Sequence, residues 1–562
     1  MWNFTELLIS YPELTAFAAI AIGYVLGNFR FGSFSFGPVA GSLFAGLFIG
    51  QFAEVPVAPM AKSFLFLLFL FGIGYSAGPQ FLKALKRGGA QPVVLAVVCT
   101  TTGLMTAFVL ALVLQLDIGM AAGLMAGGLT QSPAIGSASE AIALLGLPEA
   151  ETKSLTSNVA IAYAVCYIFG SAGAIWFCSY LGPKLLRVDL KAEAIELGRS
   201  LGMDETPAGV ESGYRQFQFR AYRVPEGSAV EGRTIALAEQ NTADKRLYIL
   251  RVRRGGELLA ADPDFVIAAG DILAISGQRA ATVECLSSQA EEIEDTALLD
   301  IPFRAAKIIF GNRELDDKPL SEIAACSWAR GIYLRSITRG GNAIPVAPGI
   351  HLDAGDVLDV IGPQDLLATA APRLGRELKP SQATDFIVLG MMIFLGGMIG
   401  VLARFTIMGI EMSIGTSVGV LLAGLLTGYL RTRHPFFGRI PDGAIALMTS
   451  LGLAAFIAMV GLQSGPSLIP TIANVGLVLP VAALVVCLTP LLVGLMFGRF
   501  VLKMNPILLL GALGGSQTAT PAMAAVQARA DSPLPVLGYA PAYPVAQVLL
   551  TMWGSIIVLL VN

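Results

Sequence analysis

Long apolar runs fill both ends of the chain, and a polar stretch separates them. Ten of these runs approach the roughly 20 residues that a helix needs to cross a bilayer. They lie near 13–29, 37–53, 63–81, 92–115 and 157–181, and near 385–403, 413–430, 443–463, 475–498 and 537–561. The pattern predicts a polytopic α-helical membrane protein built as two sets of five spans.

Glycines and prolines interrupt one further apolar segment in each set, near 119–146 and near 505–530. Such a segment can turn back on the side it enters, as a re-entrant hairpin, or cross the bilayer as a discontinuous helix. Loop charge favours hairpins, because Lys and Arg in short loops concentrate on the cytoplasmic side. With two hairpins, ten loop cations are cytoplasmic (Arg30, Lys83, Lys86, Arg87, Arg431, Arg433, Arg439, Arg499, Lys503 and Arg529) and three are not (Lys62, Lys153 and Arg404). We therefore expect a cytoplasmic-membrane protein with both termini outside and the polar stretch inside.

The two sets of spans share their glycine spacing. Gly37, Gly41, Gly46 and Gly50 recur as Gly415, Gly419, Gly424 and Gly428, while Gly74, Gly78-Pro79 and Gly127-Gly128 recur as Gly461, Gly465-Pro466 and Gly514-Gly515. Five spans are an odd number, so the second repeat is expected upside down relative to the first, as in many secondary transporters. Close helix packing alone also explains a glycine ladder, and Gly78-Pro79 fits the end of a helix.

The interrupted segments carry the candidate site. The first reads GGLTQSPA over 127–134, and the second reads GGSQTATPA over 514–522. Glycines permit turns and close approach, hydroxyl and amide groups follow, and proline then opens a helix. The N-terminus of a helix attracts a carboxylate. The predicted substrate-binding residues are Gly128, Thr130, Gln131, Ser132, Pro133, Gly515, Gln517, Thr518, Thr520, Pro521 and Arg529.

Each of these features also has a purely structural interpretation. A proline-kinked helix whose freed carbonyls are satisfied by hydroxyls would give either motif. Arg529 can approach a substrate carboxylate from the cytoplasmic side or serve only as a cytoplasmic loop charge. Glu140 can meet a substrate ammonium group or a proton, or face a loop.

Charge separates the middle of the chain from its ends. Residues 184–380 hold 53 of the 77 Asp, Glu, Lys and Arg residues, which predicts a soluble insert. The net charge of −3 argues against a nucleic-acid partner. The six cysteines are not spaced as metal ligands are, and the chain has only two histidines, so the sequence offers no metal site. We expect no metal, no cofactor and no enzymatic activity, because no nucleophile, base and orienting group converge in a motif.

The insert contains its own repeat, at an offset of 85 residues. Arg254-Gly255-Gly256 precedes Gly270-Asp271-Ile272-Leu273, and Arg339-Gly340-Gly341 precedes Gly355-Asp356-Val357-Leu358. Alternating apolar residues and Arg-Gly-Gly turns predict two small α+β domains. Their Gly-Asp-x-Leu strand resembles the C-terminal ligand-binding domains of potassium-channel and Trk-type regulatory proteins. That resemblance implies a regulatory or dimerising role, with a small regulatory ligand as a possible partner.

The expected organisation follows from these patterns. It comprises membrane repeat 1 (1–183), a linker (184–214), the first regulatory-type domain (215–285), a linker (286–300), the second domain (301–370), a linker (371–383) and membrane repeat 2 (384–562). We expect a homodimer, since a symmetric scaffold would give the mobile hairpins a fixed support.

The full layout resembles the aspartate:alanine exchanger family over essentially the whole chain. The resemblance rests on the two hairpin motifs, Gly78-Pro79 and the paired insert domains. It implies electrogenic exchange of external aspartate for internal alanine by alternating access, since aspartate carries one negative charge near neutral pH and alanine carries none. Relatives of the same layout include presumed exporters of C4 dicarboxylates, and no residue of this sequence decides between the substrates.

Functions of other classes fit less well. A ligand-gated channel would need a pore-lining filter, and a membrane sensor would not need the hairpin repeat. A sodium or proton antiporter would carry acidic residues deep in its spans. Instead, the acidic residues of the apolar regions lie near predicted span ends: Asp117, Glu140, Asp385, Glu411 and Asp442.

Overall fold

A computed structural model describes most of the chain. The described residues are 4–31, 34–35, 37–86, 91–203, 217–240, 247–278, 290–339, 342–378, 384–407, 410–413, 415–433 and 437–562. The chain divides into two compact units. The helical unit is Met1–Ser200 with Thr338–Pro345 and Pro380–Asn562, and the insert unit is Leu201–Ile337 with Val346–Lys379.

Helices build the first half of the helical unit. They are Phe4–Ser10, Pro12–Asn28, Gly37–Phe52, Pro59–Lys86, Gln91–Val113, Ile118–Gly128, Pro133–Ala143, Glu149–Trp176, Gly182–Leu186 and Leu190–Ser200, with a π-helical turn at Phe177–Leu181. Strands β1 (Arg30–Phe31) and β2 (Phe34–Ser35) form a short ribbon. Asp117 begins the helix Ile118–Gly128 by accepting a hydrogen bond from the amide of Met120, which satisfies one of the amides left free at a helix start.

The second half contains a similar series of elements. Its helices are Phe386–Leu402, Thr416–Arg433, Asp442–Ser464, Leu468–Val475, Val478–Met496, Pro506–Ser516, Thr520–Ala530 and Val536–Val561, with a 3-10 turn at Gly465–Ser467 and a π-helical turn at Phe497–Val501. Strands β13 (Arg404–Ile407) and β14 (Ile410–Ser413) form a ribbon that corresponds to β1 and β2. Asp385 and Asn505 begin two of the helices by accepting amide hydrogen bonds.

Within the described residues, six helical stretches are long and apolar enough to cross a membrane: Pro59–Pro79, Gln91–Val113, Glu149–Leu186, Asp442–Ala473, Val478–Val501 and Val536–Val561. The other four predicted spans coincide with helices of 16 to 18 residues: Pro12–Asn28, Gly37–Phe52, Phe386–Leu402 and Thr416–Arg433. Large apolar side chains such as Ile387 (79% exposed) cover the outside of these helices, as expected where lipid rather than water is the solvent. The chain is therefore a helical membrane protein.

Matched glycines bring the two halves together. A Cβ added at Gly46 would lie 2.5 Å from the carbonyl oxygen of Ala458, and one at Gly461 would lie 2.6 Å from that of Leu43. The equivalent pair, Gly74 and Gly424, shows the same reciprocal approach between helices 59–86 and 416–433. The packing interpretation of the glycine ladder is therefore confirmed.

The end of the third predicted span differs from expectation. Helix 59–86 continues through Gly78-Pro79 to Lys86, so the expectation that this dipeptide ends the helix is wrong. The neighbouring turns of the helix hold the chain helical across the proline, whose missing amide costs one hydrogen bond. In the second half, Gly465-Pro466 does open a 3-10 turn.

The middle of the chain contains two five-stranded sheets with the same strand order. The first has the order β5-β4-β6-β3-β7, from β3 (Phe217–Arg223), β4 (Tyr248–Arg254), β5 (Glu257–Ala260), β6 (Ile272–Gln278) and β7 (Glu291–Ile293). The second has the order β10-β9-β11-β8-β12, from β8 (Phe303–Phe310), β9 (Tyr333–Arg339), β10 (Asn342–Ile344), β11 (Val357–Pro363) and β12 (Gly375–Glu377). Short helices accompany them at Ile235–Gln240, Thr296–Leu299, Leu320–Ala324 and Gln364–Leu374.

The repeated Gly-Asp motif has a local structural role in both sheets. The buried carboxylate of Asp271 accepts a hydrogen bond from the amide of Ala268, and the buried carboxylate of Asp356 accepts one from the amide of Asp353. Each aspartate thus closes the turn that leads into its strand. Gly255 and Gly256 have φ values of 57° and 90°, as the predicted β4–β5 turn requires.

Three expected linkers contain regular structure. Residues 190–200 of the first form a helix, whereas 204–214 lie outside the described residues. Strand β7 lies within 286–300 and pairs with β3, and β12 lies within 371–383 and pairs with β8. Their charged composition suggested connectors, but each short strand adds to a sheet edge, where polar side chains remain exposed.

Candidate functional site at the hairpin tips

Two helix pairs have the interrupted sequences at their turns. Helices Ile118–Gly128 and Pro133–Ala143 are named hairpin 1, and helices Pro506–Ser516 and Thr520–Ala530 are named hairpin 2. The four residues 129–132 and the three residues 517–519 are their tips. Prolines open the second helix of each pair as predicted, because a proline in the first turn leaves no needed amide unpaired.

Equivalent threonines bend the backbone of each tip into the left-handed region. Thr130 has φ 56° and Thr518 has φ 52°, an unfavourable conformation for a β-branched residue. The tips touch each other at these residues. The Thr130 hydroxyl donates to the carbonyl of Gln517 at 2.5 Å, and the Thr518 hydroxyl donates to the side-chain oxygen of Gln131 at 2.9 Å.

Two buried glutamines fix the tips to the surrounding helices. The amide nitrogen of Gln131 donates to Thr551 at 3.0 Å and to the carbonyl of Gln547 at 3.2 Å. The amide nitrogen of Gln517 donates to the carbonyl of Cys487 at 2.6 Å. Both glutamine side chains are only 1% exposed, so they face protein rather than an open site.

The next hydroxyl of each hairpin bonds to a tyrosine. Ser132 lies 2.5 Å from the Tyr163 hydroxyl, and Thr520 lies 2.9 Å from the Tyr539 hydroxyl. Each tyrosine packs against a second one four residues later, with ring centroids 5.4 Å apart for Tyr163 and Tyr167 and 5.3 Å apart for Tyr539 and Tyr543. Sequence reasoning missed these tyrosines, although the spacing Tyr-x-x-x-Tyr recurs at an offset of 376.

Glycines let each tyrosine-bearing helix lie directly against its hairpin. A Cβ at Gly127 would lie 2.6 Å from Cβ of Cys166, and one at Gly515 would lie 2.8 Å from the carbonyl of Tyr539. Gly128 is similarly close to Val486. These contacts leave room for no side chain, so Gly128 and Gly515 serve helix packing in the structure.

The two hairpins differ in exposure. The start of the second helix of hairpin 1, from Pro133 to Ala138, is buried. In hairpin 2 the equivalent helix exposes Thr520, Ala524 and Ala528. Thr130 and Thr518 are partly exposed, and Ser132 is 9% exposed. Access to the tips is therefore greater along hairpin 2.

The helix starts offer fewer free amides than the sequence suggested. The amides of Ala134 and Ile135 donate to the carbonyls of Gln131 and Ser132, and those of Ala522 and Met523 donate to the carbonyl of Ala519. A substrate carboxylate would have to compete with these short-range bonds. The positive end of each helix dipole still points at the tips.

The charged candidates lie away from the tips. The Arg529 guanidinium is 5.2 Å from the centre of the Tyr180 ring, a cation–π distance. The Glu140 carboxylate accepts hydrogen bonds from the start of helix 416–433. In this arrangement Arg529 contacts an aromatic ring and Glu140 contacts a helix start, and neither side chain lies at the tips. Among the described residues, no group of three or more His, Cys, Asp or Glu is placed to hold a metal ion.

Comparisons with known proteins agree with this architecture. The family model Asp-Al_Ex, described as Predicted Permease Membrane Region, matches residues 15–183 and 388–559, and the TrkA-C domain model matches residues 219–284. No solved structure matches the chain.

Relatives that match over nearly their whole length are named as transporters. An uncharacterized transporter of Bradyrhizobium diazoefficiens is 51% identical over 91% of this chain and 99% of its own. Uncharacterized transporters of Bordetella bronchiseptica and Shewanella oneidensis are 37% and 33% identical over 98% and 100% of this chain, and 96% and 100% of their own. The chain belongs to the Asp-Al_Ex permease family, as a multi-pass membrane transporter whose insert carries a TrkA-C domain.

Proposed function

We propose that the protein exchanges aspartate for alanine across the cytoplasmic membrane by alternating access, with the two hairpin tips forming the substrate site. The observation that carries this proposal is the contact between the tips, in which Thr130 and Thr518 each bond to the opposite hairpin. A site shared by two related halves is accessible from either side when the halves move relative to each other.

Helix directions support re-entrant hairpins. In hairpin 1, Gly119, Gly123 and Gly127 lie against Leu155, Val159 and Tyr163, so helices 118–128 and 149–176 run in the same direction. Only the five residues 144–148 separate hairpin 1 from helix 149–176, and they can span at most about 17 Å. Helix 133–143 must therefore return towards the side where helix 118–128 began. The same relation holds in hairpin 2, where Gly511 and Gly515 lie against Pro535 and Tyr539.

Packing between the halves supports an inverted repeat. Gly46 and Gly50 of helix 37–52 lie against residues 458–462 and 462–465, so this second span runs parallel to the third span of the other half. Helices 59–86 and 416–433 are likewise parallel. Since successive spans alternate in direction, a second span can be parallel to the third span of the other half only if the halves are inverted. We propose ten spans on this basis.

The tips suit a small zwitterion that carries an extra carboxylate. They combine two helix starts with the partly exposed residues Thr130 and Thr518 and the exposed residue Thr520, each of which carries a hydroxyl. Ser132, Gln131 and Gln517 support the tips from behind, and Gly128, Pro133, Gly515 and Pro521 shape their backbone. Arg529 joins the site only if its helix moves. Each exchange of external aspartate for internal alanine then moves one negative charge inward.

The remaining proposals concern the environment of this site. We place both termini outside and the insert in the cytoplasm, from the distribution of loop cations. The second insert domain shares the strand order of the TrkA-C domain, and we propose that the pair regulates transport, with a small ligand as effector. A homodimer remains our proposal for the assembly.

A substrate panel tests the exchange. Liposomes that contain the purified protein and are loaded with aspartate or alanine should take up labelled aspartate rapidly. Release of aspartate without a counter-substrate should be much slower. A voltage-sensitive dye should report charge movement when aspartate exchanges for alanine. Equal exchange of succinate and aspartate would assign the site to C4 dicarboxylates instead. Ion flux without a counter-substrate would favour a channel.

A further inference from the structure

We propose that Glu140 is a latch that holds hairpin 1 closed against the opposite half, and that releasing it opens the substrate site on the side where hairpin 1 begins and ends. The proposal rests on the transport function argued above and adds a positioning residue to it. Glu140 does not contact the tips.

The contact joins the two halves directly. Glu140 lies near the end of hairpin 1, and Thr416 and Ser417 begin the helix 416–433 of the second half. The Glu140 carboxylate accepts hydrogen bonds from the amide of Thr416 at 2.6 Å, from the amide of Ser417 at 3.0 Å and from the Thr416 hydroxyl.

Electrostatics make this contact strong for its size. An ionised carboxylate at the start of a helix meets the positive end of the helix dipole and unpaired amides, and hydrogen bonds to charged groups are about twice as strong as neutral ones. Ser417 is 2% exposed and Glu140 is partly buried, so water screens the interaction incompletely.

The symmetry-related position lacks both partners of this contact. At the offset of 388 that relates Thr130 to Thr518, Glu140 corresponds to Ala528, which has no carboxylate. At the offset of 378 that relates Gly37 to Gly415, Thr416 corresponds to Pro38, which has no amide hydrogen. Hairpin 2 therefore cannot make the same latch, and its exposed Ala528 matches the greater exposure of its second helix.

The two hairpins differ in exposure, and this difference indicates what releasing the latch would do. The second helix of hairpin 1 is buried from Pro133 to Ala138, whereas the equivalent helix of hairpin 2 exposes Thr520. The structure is thus closed along the latched hairpin and more open along the other. Weakening the latch should shift the equilibrium towards a state that is open along hairpin 1.

The chain itself supplies a mild test substitution. Gly415 has φ 83° and Gly37 has φ 74°, so the backbone is alike where the two helices start, and Pro follows Gly37 in this sequence. Thr416→Pro should therefore be accepted at the helix start. It removes the Thr416 amide hydrogen and hydroxyl that bond to Glu140 and leaves only the bond from the Ser417 amide. Glu140→Ala and Glu140→Gln weaken the same contact by removing the carboxylate.

Two measurements distinguish an effect on the latch from an effect on transport. Spin labels on cysteines replacing Leu144 and Leu402, both exposed, report the separation of hairpin 1 from the second half without any substrate. The exchange assay reports the substrate KM on the hairpin 1 side. Glu149→Gln, an exposed acid in the first turn of the next helix, is the matched control.

We expect Glu140→Ala and Thr416→Pro to move the label distances to longer values and to lower the KM on the hairpin 1 side by roughly tenfold, because a larger fraction of molecules is then open there. Glu140→Gln should fall between these variants and the control. Unchanged distances in both variants would overturn the latch, as would loss of substrate binding from both sides. Absence of exchange by the unaltered protein would overturn the proposed function, while the distances would still decide the latch.

Discussion

Thr130 and Thr518 occupy the same place in the two hairpins, and each donates its hydroxyl hydrogen to the other hairpin. Both residues hold the left-handed backbone conformation, which costs free energy for a threonine. Such strain persists only where the surrounding structure fixes the conformation. Here the hydrogen bonds to the opposite tip fix it.

Thr130→Ala and Thr518→Ala test whether these hydroxyls also meet the substrate. Loss of a hydrogen bond to a charged group costs roughly 1.5 to 3 kcal/mol, which corresponds to a tenfold to hundredfold weaker apparent affinity. Serine at either position keeps the hydroxyl and should retain affinity near that of the unaltered protein. Counterflow of labelled aspartate measures the difference. Equal affinities of the Ala and Ser variants would remove these hydroxyls from the site.

Impermeant thiol labelling tests the membrane topology. A cysteine replacing Leu144, which is exposed just after hairpin 1, should react from outside intact cells. A cysteine replacing Asp262, exposed in the insert, should react only after permeabilisation. A cysteine replacing Val113, exposed at the end of the helix before hairpin 1, should also react from outside. Labelling of positions 113 and 144 from opposite sides would contradict the re-entrant hairpin, because its two ends would then lie on different sides of the membrane.

Much of this architecture was predictable from the pattern of apolar residues. The helices, the two hairpin turns and the repeated glycines all follow from periodicity and backbone chemistry, because they depend on local sequence. The hydrogen-bond partners of the hairpin residues could not be predicted in this way, because they are distant in sequence. Gln131 reaches Thr551, 420 positions away, and the Glu140 contact spans 276 positions.

The same limit explains the differences in the insert. Strands β7 and β12 have only three residues each, too few for an alternating pattern, and they form by pairing with β3 and β8. The exposure of hairpin 2 compared with hairpin 1 depends on the conformational state, which sequence alone does not specify.

Arg330→Ala should destabilise the insert strongly. The Arg330 guanidinium donates two hydrogen bonds to Glu239, at 2.7 and 2.6 Å, and one to the carbonyl of Ile249, so it joins the second sheet domain to the first. Its side chain is 17% exposed and that of Glu239 is 11% exposed. Removing one partner of such a buried pair costs about 3 to 5 kcal/mol.

Thermal unfolding of the full chain, followed by limited proteolysis of the insert, measures this effect. Arg220→Ala is the matched control, because Arg220 pairs with Glu292 at a site where both side chains are more than 40% exposed. Exposed pairs contribute little, so the control should unfold near the temperature of the unaltered protein. A similar loss in both variants would mean that the Arg330 pair stabilises the insert no more than an exposed pair does.

Acid should weaken the insert through Asp295. Desolvation raises the pKa of this carboxyl, but hydrogen bonds from Arg253 and from the amide of Leu298 outweigh it, and the net pKa is lowered. A lowered pKa contributes stability above the ordinary carboxyl pKa, and that stability is lost as the pH falls through the lowered value. Asp295→Asn should reduce stability at pH 7 and flatten its decline in acid. An unchanged pH profile in this variant would contradict the assignment.

The insert should prove dispensable for substrate binding if the helix 190–200 is kept. The helix 190–200 belongs to the helical unit, and its Lys191 lies 3.5 Å from Asp531, which follows hairpin 2, so the first variant keeps this helix. We expect a variant that joins residue 200 to residue 380 through a flexible linker to bind aspartate with unchanged affinity while its exchange rate or oligomeric state changes, because the hairpin tips and their bonding partners all lie outside the removed segment. A second variant that joins residue 188 to residue 380 removes this helix as well and should lose affinity or exchange. Loss of binding in the first variant, in well-folded protein, would show that the insert helps to build the site.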